Sequence, residues 1–246
     1  MALFRRRQTR LLQFNNDTFR VVLERRAAYA TASDKEHVEF SRYMKTGVVD
    51  AVDLSREFIG ELAVPTGEIV AADPFYIPKE FTHPFAQRIP SGSYPVFVSL
   101  ADLGVWGERV AYAWLQIRLN RPIRWELATT TATEGALAEL YGIDAGLGCF
   151  ADTAAAGVFS AQVKRFYSEH PEGNFYDDVL SPYLPADRSW CDYGLDPESG
   201  LNVVIFSSGF GDGIYSSYWG LDAKARLACL LTDFQVFDLQ GTIARG

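Results

Sequence analysis

Five aspartates sit where the chain is hinged by glycine or proline or where a helix begins. They are Asp73 in Asp-Pro, Asp144 in Gly-Ile-Asp-Ala-Gly, Asp152 in Asp-Thr, Asp212 in Gly-Asp-Gly and Asp222 in Gly-Leu-Asp. Carboxylates carried on glycine-rich turns can converge, and a converged set coordinates a hard cation or activates a water. That chemistry belongs to a metal-assisted hydrolase. Arg109 and Tyr215 add groups able to bind an anion or orient a carboxylate, though strand-edge packing explains both equally well. Each aspartate also has a local explanation. Asp152 fits a helix N-cap, Asp212 a hairpin turn, and Asp73 and Asp222 the starts of turns. Asp144 is the one that turn chemistry explains least.

Established catalytic motifs are missing. The chain has no His-Glu-x-x-His and no Gly-x-Ser-x-Gly. The glycine-rich stretch Ser207 to Gly213 lacks the lysine and the helix that a phosphate-binding loop needs. His37, His83 and His170 are far apart in polar or proline-rich surroundings and are given no role. Cys149, Cys191 and Cys229 form no Cys-x-x-Cys pair and are odd in number. Neither structural zinc nor a disulfide framework is expected, and a reducing cytoplasm fits best. No cofactor is implied.

The elements that must hold these residues read mainly as strands. Val203 to Phe234 carries the strongest pattern: Val203–Phe206, then Ile214–Trp219, then Leu227–Phe234. Asp212-Gly213 is expected to close the first hairpin, and Gly220 with Asp222 the second. Upstream, Phe58–Val64 and Ile69–Ala72 flank Pro65-Thr66-Gly67-Glu68 and read as another hairpin. Pro95–Leu100, Val110–Leu119 and Ile123–Ala128 continue the series of short strands. The middle is more helical. Thr133 can cap a short helix stopped at Gly142. Asp152 caps a longer one with Ala155, Val158, Phe159, Val163 and Phe166 on one face, ending near His170. Asn174 can cap a short helix through Tyr183, and Trp190 to Gly200 reads as a polar, turn-rich link. The expected fold is α+β and β-rich, an antiparallel sandwich or open barrel with a few short helices packed on it.

Composition bounds the rest. With 246 residues, 48% hydrophobic, the chain can bury a large single core. Residues 46–246 are assigned to one β-rich domain. Residues 1–45 form a basic arm rich in arginine, with helix-like spacing around Phe19, Val22 and Leu23. No secretion signal is expected in that arm. The net charge of -8 argues against non-specific nucleic-acid binding. No apolar run is long enough to span a bilayer.

Several segments occur together in an informative order. They are Gly67-Glu-Ile-Val-Ala-Ala-Asp73-Pro74, Pro90-Ser-Gly-Ser-Tyr94-Pro95-Val96, Arg109-Val110-Ala111, Trp125-Glu-Leu-Ala128, Gly142-Ile-Asp144-Ala-Gly146 and Phe150-Ala-Asp152. Phe206-Ser-Ser-Gly-Phe-Gly-Asp-Gly-Ile-Tyr215, Trp219-Gly-Leu-Asp222 and Thr232-Asp-Phe234 follow. Over roughly residues 57–236 this order resembles the bacterial domain-of-unknown-function family DUF4241. The resemblance implies a soluble, stand-alone bacterial protein and transfers no catalytic residue. A looser likeness links the Gly-Asp-Gly meander to immunity proteins that neutralise secreted toxins.

Three functions compete. A partner-binding protein of the immunity or defence type would use its acidic balance to steer a basic, toxin-like protein, with Phe210, Asp212, Tyr215 and Tyr218 presented on turns. A metal-assisted hydrolase would bring at least three of the five aspartates into one hollow. A small-ligand β-barrel would line a cavity with tryptophan and tyrosine. The sequence leaves the oligomeric state open.

Overall fold

A computed structural model describes residues 39–77, 83–132, 139–184 and 190–237. Within them twelve strands form two antiparallel sheets. The larger sheet runs β1 (Gly47–Val49), β2 (Val52–Val64), β4 (Gly92–Asp102), β5 (Glu108–Gln116), β12 (Leu227–Asp233), β11 (Gly213–Leu221) and β6 (Arg124–Leu127). β7 (Leu140–Ile143) lies end to end with β6 along the same edge of β11: β6 pairs with Tyr218–Leu221, and β7 with Gly213–Ser216. The smaller sheet runs β3 (Ile69–Ala72), β8 (Leu147–Asp152), β10 (Leu201–Ser207) and β9 (Trp190–Asp196). Both sheets are open paths, so of the two architectures the sequence allows, the chain adopts the sandwich.

Alternation along the strands builds three apolar layers. Between the sheets lie Leu62, Val96, Leu115, Phe150, Phe206 and Leu230. On the outer face of the larger sheet, Leu54, Trp114 and Leu231 are covered by Phe40 and Tyr43 from before β1 and by Val236 and Phe237 from after β12. The outer face of the smaller sheet is covered by helix α1 (Thr153–Glu169), which lays Ala155, Ala156 and Phe159 on Val203 and Ile205. The helix forms where its spacing predicts, but Val158 turns outward to solvent.

Two hairpins expected from sequence are crossovers between sheets. β2 and β3 are joined by Pro65–Glu68 yet lie in different sheets: β2 pairs with β4, and β3 pairs with β8. β10 and β11 are likewise in different sheets, so Asp212-Gly213 turns the chain from one layer to the other. The β11–β12 hairpin is as expected. A tight turn dipeptide specifies local reversal and cannot by itself say whether the strands pair or stack.

Other differences are local. Gly142 lies inside β7 rather than stopping a helix, and residues 133–138, where that helix was expected, are outside the described residues. Trp190–Asp196 is a strand. Its Cys191, Tyr193 and Leu195 face inward and alternate with Asp192, Gly194 and Asp196. The segment after Asn174 is one wide helical turn, Tyr176–Leu180, followed by a 3-10 turn. Of the basic arm, residues 1–38 lie outside the described residues.

Candidate functional site

The turn between β7 and β8, Asp144–Gly146, is the point where several of the singled-out residues meet. Asp73 ends β3 and is buried. Its Oδ1 accepts from the Phe75 amide (2.8 Å), and its Oδ2 accepts from the amides of Asp144 (2.9 Å) and Ala145 (3.0 Å). Asp212 takes the next amide, Gly146, on its Oδ1 (3.0 Å), and the Gly146 carbonyl accepts from the Ser208 amide (3.1 Å). The loop from Ser208 to Asp212 is in turn held by the Tyr215 hydroxyl, which donates to the Gly211 carbonyl at 2.7 Å. Asp73, Asp144, Asp212 and Tyr215 therefore form one hydrogen-bonded knot that ties three loops at the junction of the two sheets.

Burial governs the electrostatics of this knot. It pushes the Asp73 carboxyl up to about 6, against the three amides that favour its charged form. Burial also raises the Tyr215 hydroxyl to about 12, so Tyr215 serves as a donor at neutral pH. A carboxylate has about four acceptor positions. In Asp73 three are filled by main-chain donors, which leaves little for a cation or a reacting water.

The remaining expected residues are elsewhere. Asp152 is the N-cap of α1 and is fully buried. Its Oδ1 accepts from the Ala154 amide (2.8 Å), while its Oδ2 accepts from the amide (3.0 Å) and hydroxyl (2.7 Å) of Thr66. One carboxylate thus caps a helix and fixes the β2–β3 crossover. Gly67 is required in that crossover: its φ is +78°, and a Cβ there would lie 2.3 Å from the Ile89 carbonyl oxygen. Asp222 closes the β11–β12 turn. It accepts from the Lys224 and Arg226 amides and from Arg226 Nε (2.9 Å) and Nη2 (2.7 Å). The Arg226 side chain chiefly lowers its carboxyl to about 2. Arg109 is at the start of β5, where its Nη1 donates to the Glu108 carbonyl (2.8 Å). Among the described residues no three His, Cys, Asp or Glu side chains are grouped so as to hold a metal ion. Of the aromatic residues expected on turns, Phe210 is exposed, Tyr215 is buried and Tyr218 is half-buried.

Sequence reasoning missed two polar features. Asp233, at the end of β12, is buried and accepts from the Gln235 amide at 2.7 Å; burial lifts its carboxyl to about 7. Asn202 of β10 stitches the sheets together. It accepts from the Ala63 amide (2.9 Å) and donates to the Glu61 carbonyl (2.9 Å) and to Asp192 (2.5 Å). A Cβ at Gly60 would meet Asp192 at 2.7 Å, so this close approach of β2 to β9 needs glycine.

A third arrangement is open to solvent. At the end of the larger sheet where β1 turns into β2 and β4 into β5, Asp53 pairs across from Asp102, and Asp102 across from Glu108. Directly opposed residues share a face, so three exposed carboxylates stand in a row on adjacent strands. Just beyond them the β4–β5 turn lifts Val105 and Trp106, 97% and 45% exposed, into solvent. Exposed Val48 of β1 borders the same end, as does Asp50, which pairs with Arg42. The sequence signal was there in Asp-Leu-Gly-Val-Trp-Gly-Glu, residues 102–108: apolar residues between two glycines with acids outside them.

The fold and these sites define an antiparallel two-sheet sandwich in which Asp73, Asp152, Asp212 and Asp222 hold its own loops, while Asp53, Asp102 and Glu108 stand exposed in a row at one sheet end. The chain belongs to the DUF4241 family of proteins of unknown function, whose model matches residues 62–232. That span lies inside the segment whose motifs carry the resemblance. No curated protein and no solved structure matches the chain. No helix among the described residues is long and apolar enough to cross a membrane.

Proposed function

We propose that this is a protein-binding domain whose docking surface is the acid-rimmed β4–β5 tip. The observation that carries it is the juxtaposition of Val105 and Trp106 with the row Asp53, Asp102 and Glu108. Opposed like charges destabilise a sheet, and exposed apolar tips cost hydration. Both costs are offset when a partner brings an apolar patch ringed by basic groups. A tryptophan at the centre of a polar rim has the composition of an interface anchor. The acid row would set the rate and orientation of docking. Any protein surface with an apolar centre and a basic rim has the required chemistry, and a basic bacterial toxin of the kind immunity proteins neutralise is one example. Three buried free thiols, Cys149, Cys191 and Cys229, fit a protein kept in a reducing cytoplasm.

The hydrolase alternative is less well supported, since Asp73 and Asp152 spend their oxygens on main-chain and Thr66 donors. The test is fluorescence anisotropy of a labelled amphipathic Lys/Leu peptide titrated with the full chain. Saturable binding is expected, about tenfold weaker in about 0.5 M salt and lost in a Val105→Asp/Trp106→Ser variant. Absence of binding at low salt, or equal binding by that variant, overturns the proposal.

A further inference from the structure

The other end of the same sheet carries the opposite chemistry. The β5–β6 loop and the β11–β12 turn meet there: the Ile117 and Arg118 amides donate to the Ala228 carbonyl (2.8 and 2.9 Å), the Ile123 amide donates to the Leu221 carbonyl (2.8 Å), and Arg226 reaches Asn120 (3.4 Å). These contacts fix a tip on which Leu119 is 100% and Ile123 56% exposed. Around it stand Arg118, Arg121, Arg124, Lys224 and Arg226, all exposed. Three carboxylates oppose these five cations: Asp222 on Arg226, Glu126 on Arg124 (2.8 Å) and Glu39 near Arg121 (3.9 Å). The acidic end has the reverse balance, with Asp50, Asp53, Asp102 and Glu108 against Arg42 and Arg109.

β5 links the two ends. Its nine residues put them about 30 Å apart, several times the screening length of about 8 Å. The two ends cannot neutralise each other within one molecule. Each presents an apolar tip inside a charged rim, and the charges are opposite.

We infer that the partner of the acid-rimmed tip is the basic Leu119/Ile123 end of a second copy of this chain, packed head to tail. This rests on the binding surface proposed above and names its occupant. A contact between two different surfaces is heterologous, so each added copy leaves one acidic and one basic end free. Association then continues beyond the dimer, into a ring or a filament, and weakens with salt.

Sedimentation velocity of the full chain tests this. At low salt and rising concentration, species larger than a dimer are expected, reverting to monomer in about 0.5 M salt. Asp102→Lys spoils the acidic end and Arg118→Glu the basic end; both positions are exposed, and circular dichroism checks that each variant folds. Each variant alone is expected to be monomeric, whereas their equimolar mixture forms a heterodimer and nothing larger. A wild-type chain that stays monomeric at low salt, or variants that associate like wild type, overturns the inference. So does a mixture that stays monomeric. If the Lys/Leu peptide still binds in that case, the docking surface stands and only its occupant is wrong. If the peptide does not bind either, both fall.

Discussion

The knot around Asp144–Gly146 and the row at Asp53, Asp102 and Glu108 use the same side-chain chemistry to opposite ends. In the knot, the carboxylates of buried Asp73 and exposed Asp212 accept main-chain amides from another loop. In the row, carboxylates face one another across strands, in water, beside an apolar tip. An acid that organises a loop is stabilised where it sits. In the row, Asp102 accepts one turn amide, that of Gly104 (2.9 Å), but all three acids stand beside like charges that a partner's basic groups would relieve.

The sharpest break in this comparison comes from Asp233, which is buried as Asp73 is but accepts from a single amide. The unfolded chain ionises it near 3.9, whereas the folded chain holds its proton until about 7. The folded state therefore binds more protons between those values, so stability should fall as pH rises from 4 to 7 and level off above. At about 1.4 kcal/mol per pKa unit the loss reaches up to about 4 kcal/mol. Asp233→Asn, followed by urea unfolding across pH, should remove the greater part of this slope, leaving the smaller one from Asp73, whose carboxyl is held up to about 6, and raise stability at pH 8. An unchanged slope would mean that Asp233 does not titrate there.

Asp152→Ala removes a helix cap and leaves Thr66 without its acceptor. The expected loss is about 3 kcal/mol, from about 1 for the cap and the rest for the unmet buried donors. Asp73→Asn keeps the shape but turns amide hydrogens toward amide donors, and a loss of about 2 kcal/mol is expected. Both are read from urea midpoints. In the row the sign reverses. Asp102→Asn should stabilise by a few tenths, about 0.3 kcal/mol, because a like charge leaves both its cross-strand neighbours, while peptide binding weakens. A destabilised Asp102→Asn would erase the distinction between the two regions.

What could be read from the sequence follows the range of the interactions involved. Helix α1 and its Asp152 cap are local, and residue spacing specifies them. So is the β11–β12 hairpin, closed by Asp222. The destinations of β3 and β10 are not local. They depend on the distant strands with which each pairs, β8 for β3 and both β8 and β9 for β10, which no turn dipeptide records. β9 was legible in the alternation of Cys191, Tyr193 and Leu195, but aspartate and glycine between them imitate a loop. The knot was half visible. Asp73, Asp144, Asp212 and Tyr215 stood out as residue types, yet their convergence on main-chain amides rather than on one another depends on loop geometry. Asp102 and Glu108 bracket the Leu-Gly-Val-Trp-Gly tip along the chain, but the row they form with Asp53 depends on register across three strands.

The shared edge of β11 has a bearing on how the protein is made. β6 and β7 emerge from the ribosome long before residues 213–221, the strand on which both must pair. Until then they offer unsatisfied main-chain groups, the condition in which nascent chains misassociate. Completion of the larger sheet must therefore wait for nearly the whole described chain to be synthesised, and such long-range pairings are slow to form. A chain arrested before Gly213 should be the form that chaperones retain, and release should coincide with the appearance of β11 and β12.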